Sequence, residues 1–130
     1  MILGIGTDIA EVARIAKSIE NSAFKEKIFS KTEINYCETK ANKAESYAAR
    51  FAAKEAFFKA VGTGWRGGMA FNEVEITNDD LGKPYLNILG VTAEIIKEKN
   101  IKTIHVSLSH TKEMAMAMVV IESFEATIHR

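Results

Sequence analysis

The spacing of apolar and polar positions changes several times along this chain, and each change marks an element. Ile2–Ala10 (ILGIGTDIA) reads as a buried first strand. Alternation places Gly4, Gly6 and Asp8 on one face and Leu3, Ile5, Thr7 and Ile9 on the other. From Glu11 to Asn21 the period becomes helical, with Val12, Ile15, Ala16 and Ile19 inward and Arg14, Lys17 and Ser18 toward solvent. Ser30-Lys31-Thr32-Glu33 is a capping-box signature and predicts a short helix from Lys31 to about Lys40. A longer helix of alanine and aromatic residues follows from Ala44, closed by Gly62, with Ala44, Ala48, Phe51 and Phe58 forming an apolar stripe. Beyond it the period shortens again. Glu73–Thr77 pairs with Pro84–Ile88 across the turn Asn78–Lys83, and Thr92–Asn100 is a short helix. Thr103–Ser109 sets Ile104, Val106 and Leu108 against His105, Ser107 and Ser109. After the turn His110–Glu113, Glu113–Glu122 returns with Met114, Met116 and Met118 on a single face, read as core filler. This order predicts an α+β domain, an antiparallel sheet packed on one long helix and shorter helices.

Length and composition narrow the class. At 130 residues, 47% apolar and 26% charged, the chain reads as a single globular domain spanning 1–130. Its zero net charge argues against a general nucleic-acid binder. The lone Cys37 permits no internal disulfide, no apolar run approaches a bilayer span, and the first residues lack a basic leader. A cytoplasmic protein outside the membrane is the expectation. One local imbalance stands out: from Arg14 to Lys31 there are five basic residues and two acidic ones. Such a run is commonly a solvated face, and it can also meet an acidic partner.

Candidate chemistry begins with Glu55. It falls in the middle of the apolar stripe of the long helix, where an unpaired carboxylate is costly. Two explanations are open at this point, an i,i+4 ion pair with Lys59 or a metal or phosphate site. Asp8 has a similar ambiguity. It follows two glycines on a bare strand face, which suits either close helix packing with Asp8 as a helix cap or a ligand that must come near. The stretch 62–68 holds four glycines in seven residues and reads as a flexible loop, without the Gly-Lys-Ser/Thr of a P-loop.

Four segments taken together resemble one family. They are Gly4-Ile-Gly-Thr-Asp8-Ile with Arg14-Ile, Arg50-Phe-Ala-Ala-Lys-Glu55-Ala-Phe-Phe-Lys59-Ala, Gly82-Lys-Pro84, and His105-Val-Ser-Leu-Ser-His110. In order and spacing they are similar to the holo-acyl-carrier-protein synthases, the short type of 4′-phosphopantetheinyl transferase, from about Met1 to Ile121. The resemblance implies transfer of the phosphopantetheine arm of coenzyme A to a serine of apo acyl carrier protein, in support of fatty acid biosynthesis. Adenosine 3′,5′-bisphosphate would be the other product. It implies Mg²⁺, with Mn²⁺ as a substitute, on Asp8 and Glu55, which suits the preference of magnesium for carboxylate, phosphate and water oxygens. Glu55 and Lys59 would be catalytic, Lys59 lying beside the pyrophosphate, and the base for the serine hydroxyl would be either Glu55 or a metal-bound water. Arg50, Gly62, Pro84, His105 and Ser107 would line the coenzyme A site. Arg14 would meet the acidic carrier, with Lys17 adding charge, and His110 is left as a turn residue. The family forms homotrimers with sites between subunits, which would suit a methionine-lined strand with more apolar surface than one subunit covers.

Two other readings compete. A transferase of broader specificity could serve peptidyl or polyketide carriers, although the single-domain length speaks against the larger two-lobed type. A non-catalytic trimer could bind coenzyme A or nucleotide without turnover, but it would have no need of Asp8, Glu55 and Lys59 together.

Overall fold

The computed structural model describes residues 1–62 and 67–124. In chain order they form β1 (Ile2–Glu11), α1 (Val12–Ser18), α2 (Ser22–Ile28), α3 (Lys31–Glu38), α4 (Lys43–Val61), a 3₁₀ turn (Phe71–Glu73), β2 (Val74–Asn78) and β3 (Pro84–Ile88). Then come α5 (Gly90–Ile96), a second 3₁₀ turn (Lys97–Lys99), β4 (Ile101–His110) and β5 (Met114–Ser123). The α+β expectation holds, with the strands divided between two antiparallel sheets. One has the order β1-β5-β4, and the other is the hairpin β2-β3. The glycine-rich loop falls largely on 63–66, outside the described residues.

Small residues bring α4 and β1 together. Ala48, Ala49, Ala52, Ala53, Ala56 and Ala60 are all buried, so α4 has close neighbours on nearly every side, a wider burial than one stripe. Against it lies the glycine face of β1. A Cβ added at Gly4 would stand 1.9 Å from the Ala60 carbonyl oxygen, and one at Gly6 would stand 1.9 Å from that of Ala56. No side chain fits between these two backbones. β5 meets the same helix with Ala115, Ala117, Val119 and Ile121. Gly62 then ends α4 at φ 91°, a left-handed cap that glycine adopts without strain.

Two charges of α4 are buried, Arg50 and Lys54, and Lys54 stands one residue before the one the pattern singled out. Lys54 and Glu33 are both 0% exposed and form an ion pair at 2.7 Å. Lys54 Nζ also donates to the carbonyls of Phe71 and Val74. Glu33 in turn accepts from the backbone N–H of Ser30 and Ile76, each at 2.9 Å. The predicted capping box is therefore present, and its glutamate does a second task, tying α3 to α4 and β2. Burial pulls the Lys54 ammonium below its ordinary pKa and Glu33 opposes that pull.

Two expectations are corrected, and one element was not foreseen. β1 is covered on one face only, because Leu3, Ile5 and Ile9 are 48%, 57% and 60% exposed. Met114, Met116 and Met118 are not core filler; they stand 40–50% exposed on the same open face. The cause is the close approach of α4, which selects the alanine face of β5 and turns the methionines out. Finally, α2 was not legible. Its seven residues carry three charges, and only Asn21, whose side chain accepts from Phe24 N–H at 3.0 Å, marks its start.

Candidate active site

Asp8 belongs to the glycine face of β1, so the approach of β1 to α4 sets it beside the last turns of that helix. It is not a helix cap. α1 begins at Val12, and its capping residue, Glu11, makes no side-chain cap bond. Lys59 Nζ donates to Asp8 Oδ1 at 2.8 Å and to the Thr7 carbonyl at 3.0 Å. The i,i+4 pairing of Glu55 with Lys59 is not formed. β1 offers the ammonium two oxygens at once, and Glu55 is left without a hydrogen bond among the described residues. Burial first, and the Asp8 charge second, push the Glu55 carboxyl above its ordinary pKa, against a smaller opposing effect of Lys59. Asp8, Glu55, Lys59 and Arg14 line one cavity of about 450 Å³, with Phe24, Phe51 and Met114 as its apolar wall.

This cluster can be tested against a divalent metal. Asp8, Glu55 and Glu11 line the cavity beside Lys59 and Arg14, so carboxylates outnumber cations there and the site offers hard oxygen donors. Among the described residues no three His, Cys, Asp or Glu side chains gather as a metal cage. The donor set therefore fits an ion that brings most of its ligands with it, as Mg²⁺ does with phosphate oxygens and water.

The predicted coenzyme A residues do not share that cavity. Arg50 and Pro84 line a second one of about 410 Å³, with Tyr36, Lys40, Asn78 and His110. Arg50 and Glu55 are five residues apart, about 140° around α4 and about 7.5 Å along it, so they serve different sides of the helix. His105 and Ser107 stand exposed on the open face of the three-stranded sheet, opposite Val120 and Met118. His105 Nε2 there meets Glu122 Oε1, a contact that holds the Glu122 carboxyl below its usual range. Gly62 lines neither cavity, and Lys17 is exposed on α1, outside both. His110 is more than a turn residue, since it ends β4 and its Nδ1 lies 3.0 Å from Glu45 Oε1 at the second cavity. Its place in the last quoted motif was the available signal. Tyr36 and Lys40 had none, lying on a polar helix and just beyond it.

An α+β fold with an aspartate on the first strand and a Glu-x₃-Lys on the central helix defines a class. Residues 4–119 match the model of the 4′-phosphopantetheinyl transferase superfamily, and the chain belongs to that family. Within it, the chain is similar to the holo-[acyl-carrier-protein] synthase of Solibacter usitatus, at 48% identity over 125 residues, 95% of this chain and 100% of that one. Its structure matches the crystal structure of holo-[acyl-carrier-protein] synthase from Neisseria meningitidis with a TM-score of 0.87 at 37% identity, covering 95% and 100% of the two chains. The holo-(acyl-carrier-protein) synthase of Bacillus anthracis, solved in complex with CoA (3′,5′-ADP), matches with a TM-score of 0.80 at 41% identity, covering 95% and 99%. Among the described residues no helix is long and apolar enough to cross a membrane.

Proposed function

We propose that this chain, as a single domain over 1–130, transfers the 4′-phosphopantetheine group of coenzyme A to a serine of apo acyl carrier protein. The serine oxygen forms the new bond to the phosphorus that carries pantetheine, the phosphoanhydride bond breaks, and adenosine 3′,5′-bisphosphate leaves. The observation that carries this reading is the Asp8–Lys59–Glu55 cluster in a cavity that also reaches Arg14. Asp8 and Glu55 would hold Mg²⁺ (or Mn²⁺), which supplies charge neutralisation at the pyrophosphate. Lys59, 54% exposed, is free to turn from Asp8 toward a phosphate oxygen as the leaving group gains charge. Glu55, which has no hydrogen bond among the described residues, would take the serine proton, directly or through a metal-bound water. The test is intact mass spectrometry of an apo carrier incubated with the chain, coenzyme A and Mg²⁺. A phosphopantetheine-sized gain that EDTA abolishes is the expected result. No gain on any apo carrier, with coenzyme A still bound, would favour the non-catalytic reading.

Carrier docking falls to Arg14 and Lys17, both exposed on α1. Arg14 stands at the lip of the metal cavity, where a bidentate guanidinium suits an acidic helix. Arg14→Glu is expected to raise KM for the carrier about tenfold or more, with KM for coenzyme A changed less than twofold. Equal effects on both substrates would remove Arg14 from the docking surface. Lys25, another of the basic residues between Arg14 and Lys31, is paired with Glu38 at 3.2 Å.

The remaining residues fit a homotrimer with sites between subunits. Arg50, Pro84, Gly62, His105 and Ser107 would then line the coenzyme A site partly from a neighbouring copy, which accounts for their separation within one chain. Three lines of reasoning favour such packing: the exposed apolar side chains of β1 and β5, their continuity across paired strands, and the aqueous cost of leaving them open. Light scattering that returned a 14.4 kDa particle at working concentration would overturn this arrangement. A cytoplasmic role in fatty acid biosynthesis follows from the proposed substrates.

A further inference from the structure

Two lysines of α4 pair with carboxylates in opposite settings. Lys54 and Glu33 are wholly enclosed, so their pair is fixed. The Lys59 side chain is 54% exposed and meets Asp8, 18% exposed, at 2.8 Å. Its ammonium leaves its own helix to do so. Glu55 lies one turn back on α4, half-buried and without a hydrogen bond among the described residues. Asp8 Oδ1 and the Thr7 carbonyl, the latter at 3.0 Å, both belong to β1. Lys59 thus rests on one of the two carboxylates that fit the divalent ion and leaves the other open. A partly exposed ion pair of this kind is weak and exchanges readily. While it lasts it works against a metal, because an Asp8 that neutralises an ammonium has less charge to give a dication, and the ammonium repels that dication.

We propose that Lys59 is a built-in counter-ion for Asp8 that competes with the divalent ion, so that metal and pyrophosphate-bearing donor bind cooperatively. The inference deepens the transferase reading and rests on Asp8 and Glu55 as the protein's ligands to that ion. Without donor, freeing Asp8 for a metal breaks the Lys59–Asp8 pair and strands the ammonium beside a dication. With donor, the phosphate oxygens offer the ammonium a second anion, and Lys59 turns from β1 without losing its counter-charge. Asp8 is then released as the donor arrives. By linkage, the metal raises the affinity for donor by the same factor. The exposed stem of Lys59 permits this exchange, a freedom that the enclosed Lys54 lacks. The charge of the site is thereby completed only when a transferable group is in place.

Mn²⁺ binding followed by electron paramagnetic resonance, at one pH and without carrier, tests this on wild type, Lys59→Met and Lys59→Arg, each with and without coenzyme A. A protein-free titration corrects for Mn²⁺ held by coenzyme A in solution. Lys59→Met is expected to bind Mn²⁺ alone about fivefold more tightly than wild type, the worth of a partly exposed pair, and to gain correspondingly less from coenzyme A. Lys59→Arg keeps the charge and binds Mn²⁺ alone within about twofold of wild type. A Lys59→Met affinity for Mn²⁺ alone that is unchanged or weaker would overturn the proposal. So would tightening by one factor with and without coenzyme A, because that is fixed repulsion with no exchange. Wild type that modifies carriers while Lys59→Met binds Mn²⁺ no more tightly defeats this proposal alone. The expected Mn²⁺ pattern in a chain that modifies no carrier defeats the transferase reading and leaves the competition standing.

Discussion

Glu55→Gln and Asp8→Asn each lower the rate of carrier modification by about 10²–10⁴-fold, the range associated with a lost acid–base or charge-stabilising group. The two substitutions keep shape and remove charge, so far-ultraviolet circular dichroism should be unchanged. They differ in what they do to the fold. Asp8 is engaged by Lys59 across the β1–α4 contact, so its neutralisation weakens a partly exposed ion pair, a small effect. Glu55 is half-buried, faces the Asp8 charge and has no hydrogen bond among the described residues. Its pKa is raised on folding, so ionisation disfavours the folded state, and the penalty grows as pH rises above the ordinary carboxylate value. Removing that charge should leave stability at neutral pH equal or higher while activity collapses. Such a trade marks a residue kept for chemistry. Rates from intact-mass time courses and midpoints from thermal unfolding check both halves. A Glu55→Gln variant retaining more than about a tenth of the wild-type rate would remove Glu55 from the mechanism.

Lys54→Met has the opposite signature. It leaves the Glu33 carboxylate 0% exposed and uncompensated, together with the Phe71 and Val74 carbonyls that the ammonium had satisfied. Breaking one partner from a buried pair costs about 3–5 kcal/mol. For a domain of this size that corresponds to a fall of roughly 10–20 °C in Tm. The double variant Glu33→Gln/Lys54→Met should recover part of the loss, because a buried amide is cheaper than a buried charge and still accepts from one of the two N–H groups. Urea unfolding of the two variants beside wild type measures this directly. A single-variant loss below about 1 kcal/mol would show that the pair is not what joins α3, α4 and β2.

The periodicity of the chain located most elements, and the four motifs located the family. What escaped it has a common cause. The stripe on α4 pointed to Glu55 as a carboxylate facing the core, whereas alanine packing lets neighbours close in on nearly all sides and the charges that go under are Arg50 and Lys54. A helical wheel ranks faces by their apolar content; it does not register that small residues admit a second backbone. On β5 both faces are apolar, and nothing in the alternation says which one meets the helix. The outcome was decided on another strand, by the absence of Cβ atoms at Gly4 and Gly6. Tyr36 and Lys40 were invisible for a different reason, since their significance depends on Arg50 and on the turn of the β2–β3 hairpin, which come later in the chain. Asp8 was legible because its glycines are adjacent to it in sequence.

The pairing of β1 with β5 also bears on when the protein becomes a protein. Ile2 aligns with Glu122 and Glu11 with Met114, so β1 waits for the strand farthest from it among the described residues. At about 5–20 residues per second, translation separates the two strands by roughly 5–20 s. Until β5 emerges, the edge of β1 has no partner and the wall that seats Asp8 against α4 is incomplete. Over that interval the nascent chain carries an unpaired strand edge and an unfinished site.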